Sequence, residues 1–132
     1  MTASSAAGSR TRVLIADDER VIADTLRIIL EQHGFAAAYG GASAVERAQS
    51  WRPDVFLSDI LMPEMNGVEA AIRICDLLPE CRVLLLTGAG PTGELVEEAR
   101  ERGYRFSLVL KPVHPAHLVH LLQRMERKPP VH

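Results

Sequence analysis

Short apolar runs alternate along this chain with longer stretches whose apolar residues recur at helical spacing. Runs of that length suit strands buried on both faces, so the pattern predicts βα units around a parallel sheet rather than a sandwich or a bundle. Five units can be read. Val13 to Ala16 is the first strand, followed by a helix from about Glu19 to His33 that turns Val21, Ile22, Leu26, Ile29 and Leu30 inward and ends at Gly34. Phe35 to Tyr39 is an Ala-rich second strand, and Ser43 is read as the N-cap of a short helix running to Trp51. Val55 to Ser58 is the third strand; the helix after Asn66 carries Val68, Ala71, Ile72 and Cys75 before Pro79 closes it. Val83 to Leu86 is the fourth strand, leading to a sparsely apolar helix from Glu94 to Arg102 that holds only Leu95, Val96 and Ala99. Ser107 to Leu110 is the fifth, and Pro115 opens a final helix bearing Leu118, Leu121, Leu122 and Met125.

Composition narrows this picture. The 132 residues, 47% hydrophobic and 24% charged, suffice for one core and not for two domains of ordinary size. A disordered leader over 1–10, one domain over 11–126 and a short tail over 127–132 are expected, with any output module on another chain. Fifteen basic and seventeen acidic residues leave a net charge of -2, no field for holding nucleic acid or an anionic membrane. Apolar runs such as Val83 to Leu86 fall far short of the roughly twenty residues that span a bilayer. The first nine residues lack the apolar stretch of a secretory signal, and two cysteines, Cys75 and Cys81, read as inert buried thiols of a reducing cytoplasm.

The residues that end the strands change the picture most, because open α/β sheets bind ligands outside the carboxyl ends of their strands. The first run ends in Asp17-Asp18, the third in Asp59, the fourth in Thr87 and the fifth in Lys111. Singly, each is an ordinary cap, turn former or solvated charge. Together they form a pattern. In a doubly wound sheet of order 2-1-3-4-5 the first and third strands are neighbours, and three carboxylates meet where the chain direction switches. Without a cation, one of them would hold its proton near neutral pH, and Lys111 supplies a single positive charge. An all-oxygen set suits a hard divalent ion, Mg²⁺ before Ca²⁺. Lys111, two strands from Asp59, has the long stem that the reach requires, whereas Thr87, one strand away, needs only a hydroxyl. Carboxylate, divalent ion, ammonium and hydroxyl are the parts that accept a phosphoryl group.

These residues resemble those of a bacterial response-regulator receiver domain, single-domain type. The resemblance rests on Ala16-Asp17-Asp18-Glu19, on Ser58-Asp59-Ile60-Leu61-Met62-Pro63-Glu64-Met65-Asn66-Gly67, on Thr87, and on Lys111-Pro112, and it extends from about Arg12 to Met125. It implies a flavodoxin-like (βα)5 fold, with Asp59 accepting phosphate from a histidine kinase or histidine phosphotransfer protein. It also implies Mg²⁺ held directly by Asp18 and Asp59, through water by Asp17, and by the backbone carbonyl of Leu61. Lys111 would pair with the phosphoryl group, Thr87 would hydrogen-bond to it, and the Lys111-Pro112 bond would be cis. Ile22 and Leu26 on the first helix are the expected contact for the phosphodonor. The fourth helix, fifth strand and last helix would face a downstream protein or a phosphorylation-dependent homodimer. One residue departs from the family: Leu108 stands where an aromatic side chain usually swings inward, and Phe106 lies one pleat too far away to replace it. Leu61 and Ala89 flank the site at positions that tune phosphoryl lifetime in the family.

Two rivals are weighed. Gly88 to Gly93 matches G-x-G-x-x-G literally, but it follows the fourth strand and contains Pro91 where backbone N–H groups would face phosphate. A magnesium phosphohydrolase using Asp59 would need a nearby acid, and Glu64 lies well beyond. The loop Gly88 to Gly93 and the helix after it are the expected movable element. His114, His117 and His120 drift round the last helix at about 100° per residue, which reads as solvated histidines rather than a metal site.

Overall fold

The computed structural model describes residues 10–40, 43–62, 65–88 and 93–126. The expected leader up to Ser9, the tail from Arg127, Glu64, and Ala89 to Thr92 of the movable loop lie outside the described residues. The described residues form a parallel sheet of five strands: β1 (Arg12–Ala16), β2 (Ala36–Tyr39), β3 (Val55–Asp59), β4 (Arg82–Thr87) and β5 (Ser107–Leu110), in the order β2-β1-β3-β4-β5. That is the doubly wound order expected, with every pairing parallel. The helices are α1 (Arg20–Gln32), α2 (Ala44–Trp51), α3 (Gly67–Leu77), α4 (Gly93–Glu101) and α5 (Pro115–Glu126). A small antiparallel ribbon, Leu61–Met62 with Met65–Asn66, joins β3 to α3. No described helix is long and apolar enough to cross a membrane.

Strand alternation divides the core into two layers. Leu14, Phe56, Val83 and Leu85 face the layer with Ala44 and Ala48 of α2, Ile72 and Ile74 of α3 and Ala99 of α4. Val13, Ile15, Leu57, Leu84 and Leu86 face the layer with Leu26 and Leu30 of α1 and Leu118 and Leu122 of α5. Both Leu95 and Val96 are half-buried, so α4 docks chiefly through Ala99, in keeping with its sparse apolar pattern. Cys75 and Cys81 are free thiols whose pKa values burial pushes up to about 11 and about 12, the inert state expected.

Three readings of local structure need correction. On α1 the inward residues are Ala23, Leu26 and Leu30, while Val21 is 78% exposed and Ile22 is exposed too. At about 100° per residue, Ala23, Leu26 and Leu30 fall within one narrow arc, Ile22 and Ile29 flank it, and Val21 and Ile28 lie opposite. A short Ala sets the face where larger neighbours had suggested otherwise. It follows that Leu26, being buried, cannot serve as the phosphodonor contact, whereas Ile22 remains on the surface. Third, Ser43 precedes α2 but makes no cap; its hydroxyl donates to the Gly40 carbonyl at 3.3 Å.

Gly34 ends α1 as expected, with φ at +92°. The Gly34 N–H donates to the Glu31 carbonyl and the Phe35 N–H to Leu30, closing the helix in a Schellman turn that brings Phe35 and Leu30 into the same core layer. Gly34→Ala should therefore cost about 1 kcal/mol, the penalty of a Cβ in the left-handed region, read as a lower urea midpoint at unchanged slope.

At the amino end of the sheet, opposite the predicted site, the Arg12 guanidinium lies 5.7 Å from the Trp51 ring and donates to the Trp51 carbonyl. Trp51 itself packs against the first core layer.

Candidate functional site

Four of the predicted side chains, Asp17, Asp18, Asp59 and Lys111, are brought to one place by strand ends. β1 delivers Asp17 and Asp18, and β3, its neighbour, delivers Asp59. A carboxylate oxygen from each of the three lies within 4.8 Å of the others. Asp17 and Asp59 are buried and Asp18 is exposed, so the group forms a half-open acidic pocket at the sheet's carboxyl edge. Lys111, just past β5, reaches across β4 with its stem near Gly88 and places Nζ 2.9 Å from Asp59 Oδ2. The long stem spans two strands as the spacing required.

Asp17 is held at two of its three acceptor oxygens. Its Oδ1 accepts the Glu19 N–H at 2.8 Å, and its main-chain carbonyl accepts the Tyr39 hydroxyl at 3.2 Å. Its Oδ2 is buried and has no hydrogen-bond partner among the described residues. Burial raises the Asp17 carboxyl above its ordinary value, and the charges of Asp59 and Asp18 add to that; the Glu19 N–H and Lys111 act the other way. Partial burial pulls the Lys111 ammonium down, but the Asp59 hydrogen bond and the charges of Asp59, Asp17 and Asp18 outweigh it and leave Lys111 raised, hence firmly cationic. An oxygen-only pocket with an unpartnered buried carboxylate oxygen fits a hard divalent cation.

Thr87 ends β4 one residue beyond Leu86, the register partner of Asp59, and its hydroxyl donates to the Gly88 carbonyl at 3.4 Å. Leu61 opens the ribbon directly after the site, its side chain half exposed. The Lys111-Pro112 bond is cis. Leu108 projects from the edge strand and is exposed, while Phe106 packs beside Tyr104 with ring centroids 6.1 Å apart. Phe106 is partly buried against the first core layer, and the residue at 108 is not aromatic. His114, just before α5, and His117 and His120 on it are exposed, and His114 is used as a cap, its Nδ1 accepting the Ala116 N–H at 3.0 Å.

Sequence reasoning missed two residues that shape the pocket. Gly67 opens α3 with its N–H on the Ile60 carbonyl, and a Cβ there would run into the Asp59 carbonyl. Its signal was a glycine directly after the capping Asn66, whose Oδ1 accepts the Val68 and Glu69 N–H groups. Tyr39 carried no signal beyond ending a weak strand.

The profile of the response regulator receiver domain family matches residues 13–123. The chain is 29% identical over 119 residues to the chemotaxis protein CheY of Thermotoga maritima, covering 88% of this chain and 98% of that one. Its fold matches the crystal structure of a CheY-like receiver domain protein from Methanospirillum hungatei with a TM-score of 0.79 at 26% identity, over 89% of this chain and 94% of the other. A second solved relative, a response regulator from Burkholderia pseudomallei with a phosphorylated aspartic acid, a calcium ion and citrate, matches with a TM-score of 0.70 at 25% identity, over 89% of this chain and 73% of that one.

Proposed function

This chain belongs to the response regulator receiver domain family, the receivers of two-component signalling, and from that premise we propose that Asp59 is its phosphoacceptor. The observation that carries the reading is the ion pair between Lys111 and Asp59 inside a pocket of three carboxylates, one of them with a buried oxygen left unpartnered among the described residues. The phosphorylated aspartate and calcium ion of the Burkholderia relative support it by analogy.

In this reading the Asp59 carboxylate attacks the phosphorus of a phosphohistidine on a histidine kinase or histidine phosphotransfer protein. An oxygen–phosphorus bond forms, the phosphorus–nitrogen bond breaks, and the imidazole nitrogen leaves with the electron pair. Lys111 holds Asp59 in place beforehand and then pairs with the transferred group, and the Thr87 hydroxyl hydrogen-bonds one of its oxygens. Mg²⁺ would be held by Asp17, Asp18, Asp59 and the Leu61 carbonyl, and would neutralise charge developing on the phosphoryl oxygens. Because a carboxylate is a good leaving group, the acyl phosphate is reversible, which suits a switch of protein–protein contacts or a relay. With Leu108 in place of an aromatic, that switch runs without an aromatic swinging in behind Thr87.

Intact-mass analysis after treatment with acetyl phosphate tests the reading. One phosphoryl group per chain should appear with Mg²⁺ and vanish with EDTA or in Asp59→Asn. No addition in the wild type, or addition that persists in the variant, would overturn it. Multiple turnover on small phosphoesters would instead favour a phosphohydrolase.

A further inference from the structure

We infer that Tyr39 is a positioning residue for the acidic pocket: its hydroxyl, carried on a ring that Arg20 packs against, fixes the Asp17–Asp18 peptide so that both carboxylates stay converged on a divalent cation. The inference rests on the reading of that pocket as a cation site. Tyr39 is the last residue of β2, in register with Ile15 of β1, and the next residue, Gly40, still donates to the Ile15 carbonyl, so the strand pairing runs past the tyrosine. Its ring packs with the layer that contains α1, and the Arg20 guanidinium lies 4.4 Å from the ring centroid. Arg20 is in turn tied by Nε to Asp24 Oδ1 at 3.2 Å. The chain Asp24, Arg20, Tyr39 ends on the Asp17 carbonyl.

The physical need for such a tether comes from the charges. Three carboxylates within 4.8 Å repel, and an unfilled pocket relieves that repulsion by proton uptake or by rotation of the peptide that carries two of them. The Glu19 N–H holds only the side chain of Asp17. The tyrosine hydroxyl holds the main chain, and it is a neutral donor, so it restrains the peptide without a cation that would compete for the carboxylates. Arg20 brings its charge to the ring rather than to the pocket.

Tyr39→Phe keeps the ring, its packing and the Arg20 contact, and removes one hydroxyl. In a calorimetric titration with Mg²⁺ alone, carried out on the folded chain, the variant should bind roughly fivefold more weakly than wild type, the factor set by one hydrogen bond of ordinary net strength. With acetyl phosphate as donor, the half-saturating Mg²⁺ concentration should rise by the same factor while the maximal phosphorylation rate stays within roughly twofold, because the tether acts on cation binding and not on the nucleophile. A hydroxyl that served only the fold would lower the urea midpoint in EDTA and leave the Mg²⁺ affinity of the folded chain where it was, and that result overturns the inference. A lower maximal rate at unchanged Mg²⁺ affinity overturns it as well. A wild type that binds no Mg²⁺ sinks the cation reading itself, and is distinguished from failure of the inference, in which wild type binds and Tyr39→Phe binds equally.

Discussion

Gly67→Ala is expected to destabilise the chain by about 3 kcal/mol, the upper end of ordinary overpacking, and to lower Tm by roughly 10 °C. The added Cβ meets the Asp59 carbonyl first, with the Asp59 carbonyl carbon and Ile60 Cα each at 3.0 Å behind it. All three obstacles are backbone, so no rotamer change relieves them. The backbone in question is pinned on both sides: the Gly67 N–H donates to the Ile60 carbonyl at 2.7 Å, and the Ser58 hydroxyl donates to the Asp59 carbonyl at 2.7 Å. Relief must therefore come from moving the end of β3, which carries Asp59 itself. Phosphorylation should fall together with stability, even at a temperature where the variant is folded. Gly93→Ala is the control, since a Cβ there meets nothing within 4 Å. Equal urea midpoints for Gly67→Ala and Gly93→Ala would refute the close-approach argument.

Asp17→Asn is expected to invert its stability relative to wild type when Mg²⁺ is added. Burial holds the Asp17 carboxyl above its ordinary pKa, aided by Asp59 and Asp18 and opposed by the Glu19 N–H and Lys111. A carboxyl with a raised pKa in the folded chain binds its proton more tightly there than in the unfolded chain. Its contribution therefore favours folding below the ordinary Asp range and is lost as pH rises through the raised value. At about pH 7 the ionised Asp17 costs stability in metal-free protein. The amide of Asn can still accept from Glu19, and its NH₂ can donate to the Asp18 or Asp59 oxygens that lie within 4.8 Å. In EDTA the variant should be more stable by about 1–2 kcal/mol, the cost of a buried polar atom without a partner. The gap should close as the pH falls toward the ordinary Asp range, where both states hold the proton. At Mg²⁺ about 100-fold above Kd the wild type gains about 2.7 kcal/mol, which the variant forfeits with its ligand, so the order reverses. Urea unfolding with and without Mg²⁺ reads both signs, and a variant less stable in EDTA would contradict the argument.

Much of this was legible in residue order because the strands are continuous apolar runs and the reactive residues stand at their ends. Val13 to Ala16 followed by Asp17-Asp18, and Val55 to Ser58 followed by Asp59, announce both strand and pocket in a single stretch. The helix faces were less legible. On α1, Val21 and Ile22 look like core by composition, yet the small Ala23 takes the inward position and turns them toward solvent. Tyr39 was not legible, since its partner is a carbonyl 22 residues away, and main-chain acceptors leave no trace in side-chain pattern. Gly67 was visible only as a helix start; the approach of its backbone to Asp59 depends on the ribbon folding back.

Trp51 sits with Arg12 at the amino end of the sheet, whereas Asp17 and Asp59 sit at the carboxyl end. With β1 five residues long, the two ends are separated by roughly 15 Å of strand at about 3.3 Å per residue. The indole is the chain's only tryptophan. Its emission is thus an optical probe of global unfolding that does not sense what occupies the pocket, so the wild-type, Asp17→Asn and Gly67→Ala curves can be compared on common folded and unfolded baselines, with or without Mg²⁺.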